Sequence, residues 1–92
     1  MILIWSIPAE GHLADIIDYI ALDNPQAALR IDELIHESAD SLMTFPYKGR
    51  SGRVMGTREL VVLPSYLLVY EISGNTINIL DILHTSQQYP PE

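Results

Sequence analysis

Hydrophobic positions along this chain follow two rhythms. From residue 7 to 42 they recur every three or four positions, and from about 54 to 84 they run in strand-like segments separated by turn residues. Leu13, Ile16, Ile17 and Ile20 fall at i, i+3, i+4 and i+7, which lays them on one helix face and turns Asp15 and Asp18 away from it. Ser6 with Pro8 marks the start of that helix, and the chain leaves it near Asp23. Asn24 followed by Pro25 is a cap plus a first-turn proline, so a second helix begins at once, with Ala28, Ile31, Leu34, Ile35 and Leu42 repeating the helical spacing. So short a connection makes the two helices an antiparallel hairpin.

Met1 to Trp5 is a short apolar run that predicts a strand before the helices. After them, "TFPYKGRSG" breaks the helical pattern with Pro46, Gly49 and Gly52. Three β-favouring segments follow, roughly 54 to 63, 66 to 73 and 76 to 84, joined by hairpin-like connections at Pro64-Ser65 and Ser73-Gly74-Asn75. The predicted fold class is α+β: a helical hairpin packed on an antiparallel sheet, in the order β-α-α-β-β-β, as a single domain over residues 1–92. Pro90 and Pro91 keep the tail irregular.

Charge changes this picture by its placement. The formal net charge is -7, and residues 1–44 carry eight acids against Arg30 alone, while Lys48, Arg50, Arg53 and Arg58 balance the four acids of the remainder. Positive charge is therefore local, which disfavours a general nucleic-acid binder, whose affinity comes from many cations meeting phosphates. The 92 residues contain no cysteine, excluding disulfides, thiol nucleophiles and thiolate metal sites. Nothing calls for a metal or a cofactor. The opening MILIW lacks a basic leader region, and no apolar stretch approaches the ~20 residues of a membrane span, so a cytoplasmic protein is expected.

The glycine-rich stretch "GRSGRVMGTRELVV" invites comparison with a phosphate-binding loop. Its spacing is G-x-x-G-x-x-x-G, and a strand follows where a phosphate cradle needs a helix N-terminus. A tight loop, with Gly49, Gly52 and Gly56 supplying positive φ, is the expectation instead. His12, His36 and His84 are too scattered for a zinc motif. His12 and His36 read as structural residues on the helices, and His84, at the end of the last strand, is a candidate acid or base only if a partner orients it. Ser51, Ser65 and Ser86 lack a nucleophile-elbow context. Tyr66 and Tyr70 share strand parity with Leu68 and Ile72, where core packing competes with a role as an interface anchor.

Taken together, the element order and the segments "IIDYIALDNPQAALRI", "GRSGRVMGTREL", "YLLVYEI" and "ILDILHTSQQYP" resemble the RelE/ParE superfamily of toxins from bacterial type II toxin-antitoxin modules. The resemblance runs from about Leu3 to Pro90. It implies a cytoplasmic toxin of the plasmid-stabilisation type, neutralised by a cognate antitoxin that wraps around it and itself binds operator DNA, so that DNA is met only indirectly. One branch of the superfamily cleaves messenger RNA on the ribosome, and the ParE branch poisons DNA gyrase. Against the nuclease pattern Arg58 stands at a basic position, whereas Leu60, Leu67 and Gln87 replace other expected cations. A phosphoryl transition state needs such cations already in place, so their absence favours the gyrase-inhibiting branch, which needs no chemistry of its own. "LHTSQQYP" also resembles the ParE ending.

The expected contact residues for the target or partner are Arg50, Arg53, Arg58, Tyr70 and His84. If the protein is instead a ribosome-dependent endoribonuclease, Arg50, Arg53, Arg58 and His84 carry the activity, with Arg58 and His84 foremost. A third reading is a non-toxic scaffold that binds only its antitoxin. Arg50 and Arg53 are expected to meet a protein surface or the acidic helices of their own chain.

Overall fold

Both helix signals act where the sequence places them in the computed structural model, which describes residues 1–90. Strand β1 (Ile2–Trp5) leads into α1 (Ile7–Asp23), and α2 (Pro25–Ser41) follows after the single residue Asn24. The Ser6 hydroxyl accepts from the Ala9 N–H at 3.1 Å, satisfying one of the donors that every helix N-terminus leaves open. Asn24 closes one helix and opens the next: its N–H donates to the Ile20 carbonyl at 2.9 Å and its side-chain oxygen accepts from the Ala27 N–H at 3.1 Å.

After the hairpin come β2 (Arg50–Ser51), β3 (Arg58–Leu63), β4 (Tyr66–Ser73) and β5 (Thr76–His84), and the sheet order is β1-β5-β4-β3-β2. The last three strands form an antiparallel meander. Gly74, with φ 58°, sits first in the two-residue turn between β4 and β5, where such turns require a left-handed residue.

Four features correct the sequence expectation. The sheet is mixed, because β1 runs parallel to β5 with Ile2 opposite Thr76 and Trp5 opposite Ile79. A two-residue strand, β2, adds an edge beyond β3. The segment expected from 54 becomes a strand only at Arg58, since the Thr57 N–H and hydroxyl both bond back to the Val54 carbonyl and turn the chain first. Leu34 is exposed and does not join the helix's buried face. The expectation placed on Pro91 lies outside the described residues.

One sheet face packs on the helices. Ala9, Leu13, Ile35, Ala39 and Leu42 meet Leu60, Leu68, Tyr70, Ile77, Ile79 and Ile82 in the main core. On the other face Leu67, Val69 and Leu83 form a smaller cluster, against which Leu80 of β5 and Tyr89 of the returning tail pack. The two faces are the alternating positions of β4, as the two-residue period of a strand requires.

Candidate functional site

The arginine-rich stretch is organised around an acid. Glu59 stands opposite Arg50 in the β2–β3 pair and opposite Val69 in β4, on the face away from the helices. Only 2% of it is exposed. Its Oε1 accepts from Arg50 Nη2 at 3.3 Å, and its Oε2 accepts from the Arg53 backbone N–H at 3.0 Å, with Arg53 Nε at 3.4 Å. Burial pushes the Glu59 pKa up, but the Arg53 N–H, the Arg50 hydrogen bond and the charges of both guanidiniums outweigh it and hold the carboxyl below its ordinary value. Arg53 also reaches the tail, donating through Nη1 to the Gln87 carbonyl at 3.5 Å.

Arg58 points to the opposite face. Its Nε donates to the Gly49 carbonyl at 3.1 Å, and its Nη2 donates to the same oxygen at 2.7 Å and to the Tyr47 carbonyl at 3.3 Å. The guanidinium carbon also lies 5.2 Å from the centre of the Tyr47 ring, within cation–π range. Arg58 therefore ties the loop before β2 to the sheet.

Tyr70 completes the same tie from inside. It is fully buried, so it offers no surface to a partner, and its place among the expected contact residues is corrected to one in the core. Its hydroxyl donates to the Pro46 carbonyl at 2.7 Å and accepts from the Gly49 N–H at 3.0 Å. Gly49 is required by this close approach: a Cβ there would lie 2.8 Å from the Glu59 carbonyl oxygen and from the Tyr70 ring and hydroxyl. The expectation of positive φ holds for Gly56, at 84°, but not for Gly49 or Gly52, both of which are wanted for their lack of a side chain.

His84 is exposed at the far end of β5 and is held locally. Its Nδ1 accepts from the Ser86 N–H at 3.2 Å and lies 2.7 Å from the Ser86 hydroxyl, and its ring meets Tyr66 edge-on at 5.5 Å. In the strand register His84 faces Tyr66 while Arg58 faces Tyr70, one at each end of β4. Two strand spacings and four residue rises put their Cα atoms about 16 Å apart. Arg58 and His84 thus do not share a site. His12 pairs with Asp81 across the α1–β5 junction, and His36 pairs with Asp32 and lies against Trp5, so both serve the scaffold.

The geometry is that of a fold whose cations brace loops, and comparison with known proteins gives it a family. The description "ParE toxin of type II toxin-antitoxin system, parDE" matches residues 3–89. The chain belongs to the ParE toxin family. It is 39% identical over 87 residues to Y4kP of Sinorhizobium fredii, named as a candidate toxin, covering 94% of this chain and 90% of that protein. It is 34% identical over 85 residues to Toxin RelE2 of Caulobacter vibrioides, covering 92% and 96%. Among solved structures, one described as a chromosomal ParDE toxin-antitoxin system from P. aeruginosa superposes with a TM-score of 0.82 at 27% identity, covering 91% of this chain and 95% of that one. A YoeB/ParE toxin from Agrobacterium tumefaciens shares the fold, with a TM-score of 0.63 at 16% identity over 91% and 98% of the two chains. The family description names ParE and one of the relatives is named RelE, and the protein is a type II toxin of the ParE/RelE group.

In this ParE-family toxin Arg50 and Arg53 meet Glu59 and the tail rather than the acidic helices. Glu59 was the residue missed by sequence reasoning. Its signal is an acid inside the apolar strand "RELVVL", which burial permits only beside cations. Phe45 and Tyr47 were also passed over, although two aromatics in a loop broken by proline and glycine have no strand or helix face to hide on.

Proposed function

We propose that this toxin acts by protein–protein contact on DNA gyrase, stabilising the cleaved-DNA state, and that it does so in the cytoplasm without catalysing a reaction. The observation that carries this reading is the internal use of its cations. Arg58 binds two backbone carbonyls, Arg50 and Arg53 share the single carboxylate of Glu59, and His84 stands at the opposite end of the sheet from Arg58. A ribonuclease of this size needs several cations converging on one phosphate, because each preplaced donor contributes a few kcal/mol only where the transition-state charge develops. A contact toxin needs only a rigid surface.

We further propose that the cognate antitoxin lays a lysine- or arginine-bearing segment along the helical hairpin. A groove there is lined by Trp5, Leu13, Ala14 and Ile17 together with Glu10, Asp18 and the Asp32–His36 pair. Apolar and acidic side chains in one groove suit an amphipathic basic segment. DNA then enters only through the antitoxin.

The gyrase reading is tested with purified enzyme and relaxed plasmid. Added toxin should abolish supercoiling and leave linear or nicked cleavage products on protease treatment. Undiminished supercoiling at a large molar excess of folded toxin would sink it.

A further inference from the structure

The loop that these arginines brace presents large apolar side chains to solvent. Phe45 is 63% exposed, Tyr47 70% and Met55 98%. Tyr47 borders two adjoining concavities, one shared with Phe45, Pro46 and Lys48, the other, of about 630 Å³, with Met55 and Arg58. These residues therefore form one continuous surface at the end of the molecule where β2 and β3 meet.

We propose that this aromatic and cationic knuckle is the surface with which the toxin grips its protein target, and that the target presents an acidic patch to it. The proposal rests on the reading of the protein as a contact toxin and adds where the contact lies and what chemistry it recognises.

Rigidity is the first argument. The Tyr70 hydroxyl holds Pro46 and Gly49, and the Arg58 guanidinium holds the carbonyls of Tyr47 and Gly49, so the backbone under the exposed rings is already fixed. Docking on such a loop gives up little conformational freedom. A loop with no role at its surface has no use for two internal clamps beneath large apolar side chains.

Composition is the second. Tyrosine, phenylalanine, methionine and arginine are the residues that interface centres favour: the aromatics combine large contact area with few rotatable bonds, arginine carries a planar charged fork, and methionine is an adaptable apolar filler. Scattered exposed hydrophobics are ordinary, but here three adjoin two cations.

Charge identifies the occupant. Among the described residues neither Lys48 nor Arg58 forms a salt bridge, and Arg58 keeps its charge although its N–H groups hold loop carbonyls, whereas Arg50 and Arg53 share the carboxylate of Glu59. The acidic excess of the chain lies in residues 1–44, and Lys48, Arg50, Arg53 and Arg58 gather in and beside this loop of a molecule of net charge -7. A carboxylate opposite Lys48 and an apolar side chain between Tyr47 and Met55 would satisfy it. A nucleic acid fits less well, because two unpaired cations neutralise too few phosphates to offset the general repulsion. A second copy fits less well too, since its acidic helices meeting this knuckle would make a head-to-tail contact with no symmetry to close it.

The experiment compares wild type, a Tyr47→Ala/Lys48→Glu double variant and Phe45→Ala with Arg30→Glu, which makes the same charge change on α2. Each is expressed without antitoxin and followed for growth arrest, and each is purified and titrated against gyrase supercoiling. Thermal melts confirm that the variants fold, since the Tyr47 and Lys48 side chains are exposed. The expected result is relief of growth arrest and at least about a tenfold rise in the half-inhibitory concentration for the knuckle variants, with Arg30→Glu unchanged. If wild type arrests growth without touching gyrase, the gyrase reading fails and the growth assay still decides the knuckle. Full arrest by folded knuckle variants overturns the proposal, as does a wild type that neither arrests growth nor inhibits gyrase. Two further results would overturn it in favour of another occupant: tight binding of a single-stranded oligonucleotide lost in the same variants, or concentration-dependent self-association lost in them.

Discussion

Glu59 shows how one residue redirects the chemistry of two others. A carboxylate almost wholly out of water is tolerable only with donors on both oxygens, and Arg50 and Arg53 supply them. The sign of its pH effect follows from the depressed pKa. The folded state prefers the ionised form, so the stabilisation is present above the ordinary carboxylate value of 4.5 and is lost as pH falls through the lower folded value. Glu59→Gln should cost about 2 kcal/mol near neutral pH, because a neutral amide replaces an acceptor of charge-assisted bonds. Urea melts between neutral and acidic pH should also show the wild type losing an increment of stability in acid that the variant lacks. Equal stability of the two proteins at neutral pH would mean that the Glu59 charge contributes nothing through its contacts with Arg50 and Arg53. The presence of an acid in "RELVVL" was legible in the sequence, whereas its partners were not. Arg50 lies nine positions away, across a strand pair of only two residues that no periodicity announces. Tyr70 was legible as a strand residue, but its burial depends on the helices that cover that face.

At the level of elements, local signals worked because they act within one helical turn. Ser6 caps α1 through the Ala9 N–H, and Asn24 serves two helices at once. Ser6 does something further that no local rule contains. Its hydroxyl donates to the Leu80 carbonyl at 2.9 Å, and its N–H donates to the Ile79 carbonyl at 2.9 Å. Leu80 lies at a bulge, where Val69 faces Asp81 but Tyr70 faces Ile79. The cap thus fastens the start of α1 to the irregular point of β5. Ser6→Ala should cost about 1–2 kcal/mol, at the upper part of the range for a lost cap, because a bulge carbonyl loses its donor as well. Hydrogen exchange at Ala9 should quicken along with the loss in thermal stability. An exchange rate unchanged at Ala9 would show that the cap is dispensable.

Over the whole molecule, the decisive contact is the return of the tail across the open sheet face. Tyr89 packs on Leu67, Val69 and Leu83, and the Arg53 guanidinium holds the Gln87 carbonyl. Burial raises the Tyr89 pKa above 10.0, and the carboxylates of Asp81 and Glu59 raise it further by opposing a phenolate. The neutral form is favoured in the folded state, so docking of the tail contributes fully below 10.0 and is lost as pH rises through the raised value. Ultraviolet titration should therefore show a tyrosine that ionises late in wild type and is missing from Tyr89→Phe, which should keep its tail docked through that alkaline range. Identical alkaline melts of the two proteins would rule the latch out. The helical hairpin, its caps, the three-stranded meander, the segregation of charge and the family likeness all follow from amino-acid order alone, because each is written in spacing of a few residues or in order along the chain. Tertiary structure alone decided that β1 runs parallel to β5, that Tyr70 lies inside, that the arginines serve Glu59 and the loop carbonyls, and that the tail covers the second cluster. Those outcomes join segments far apart in sequence, where register and burial, rather than local preference, choose the partner.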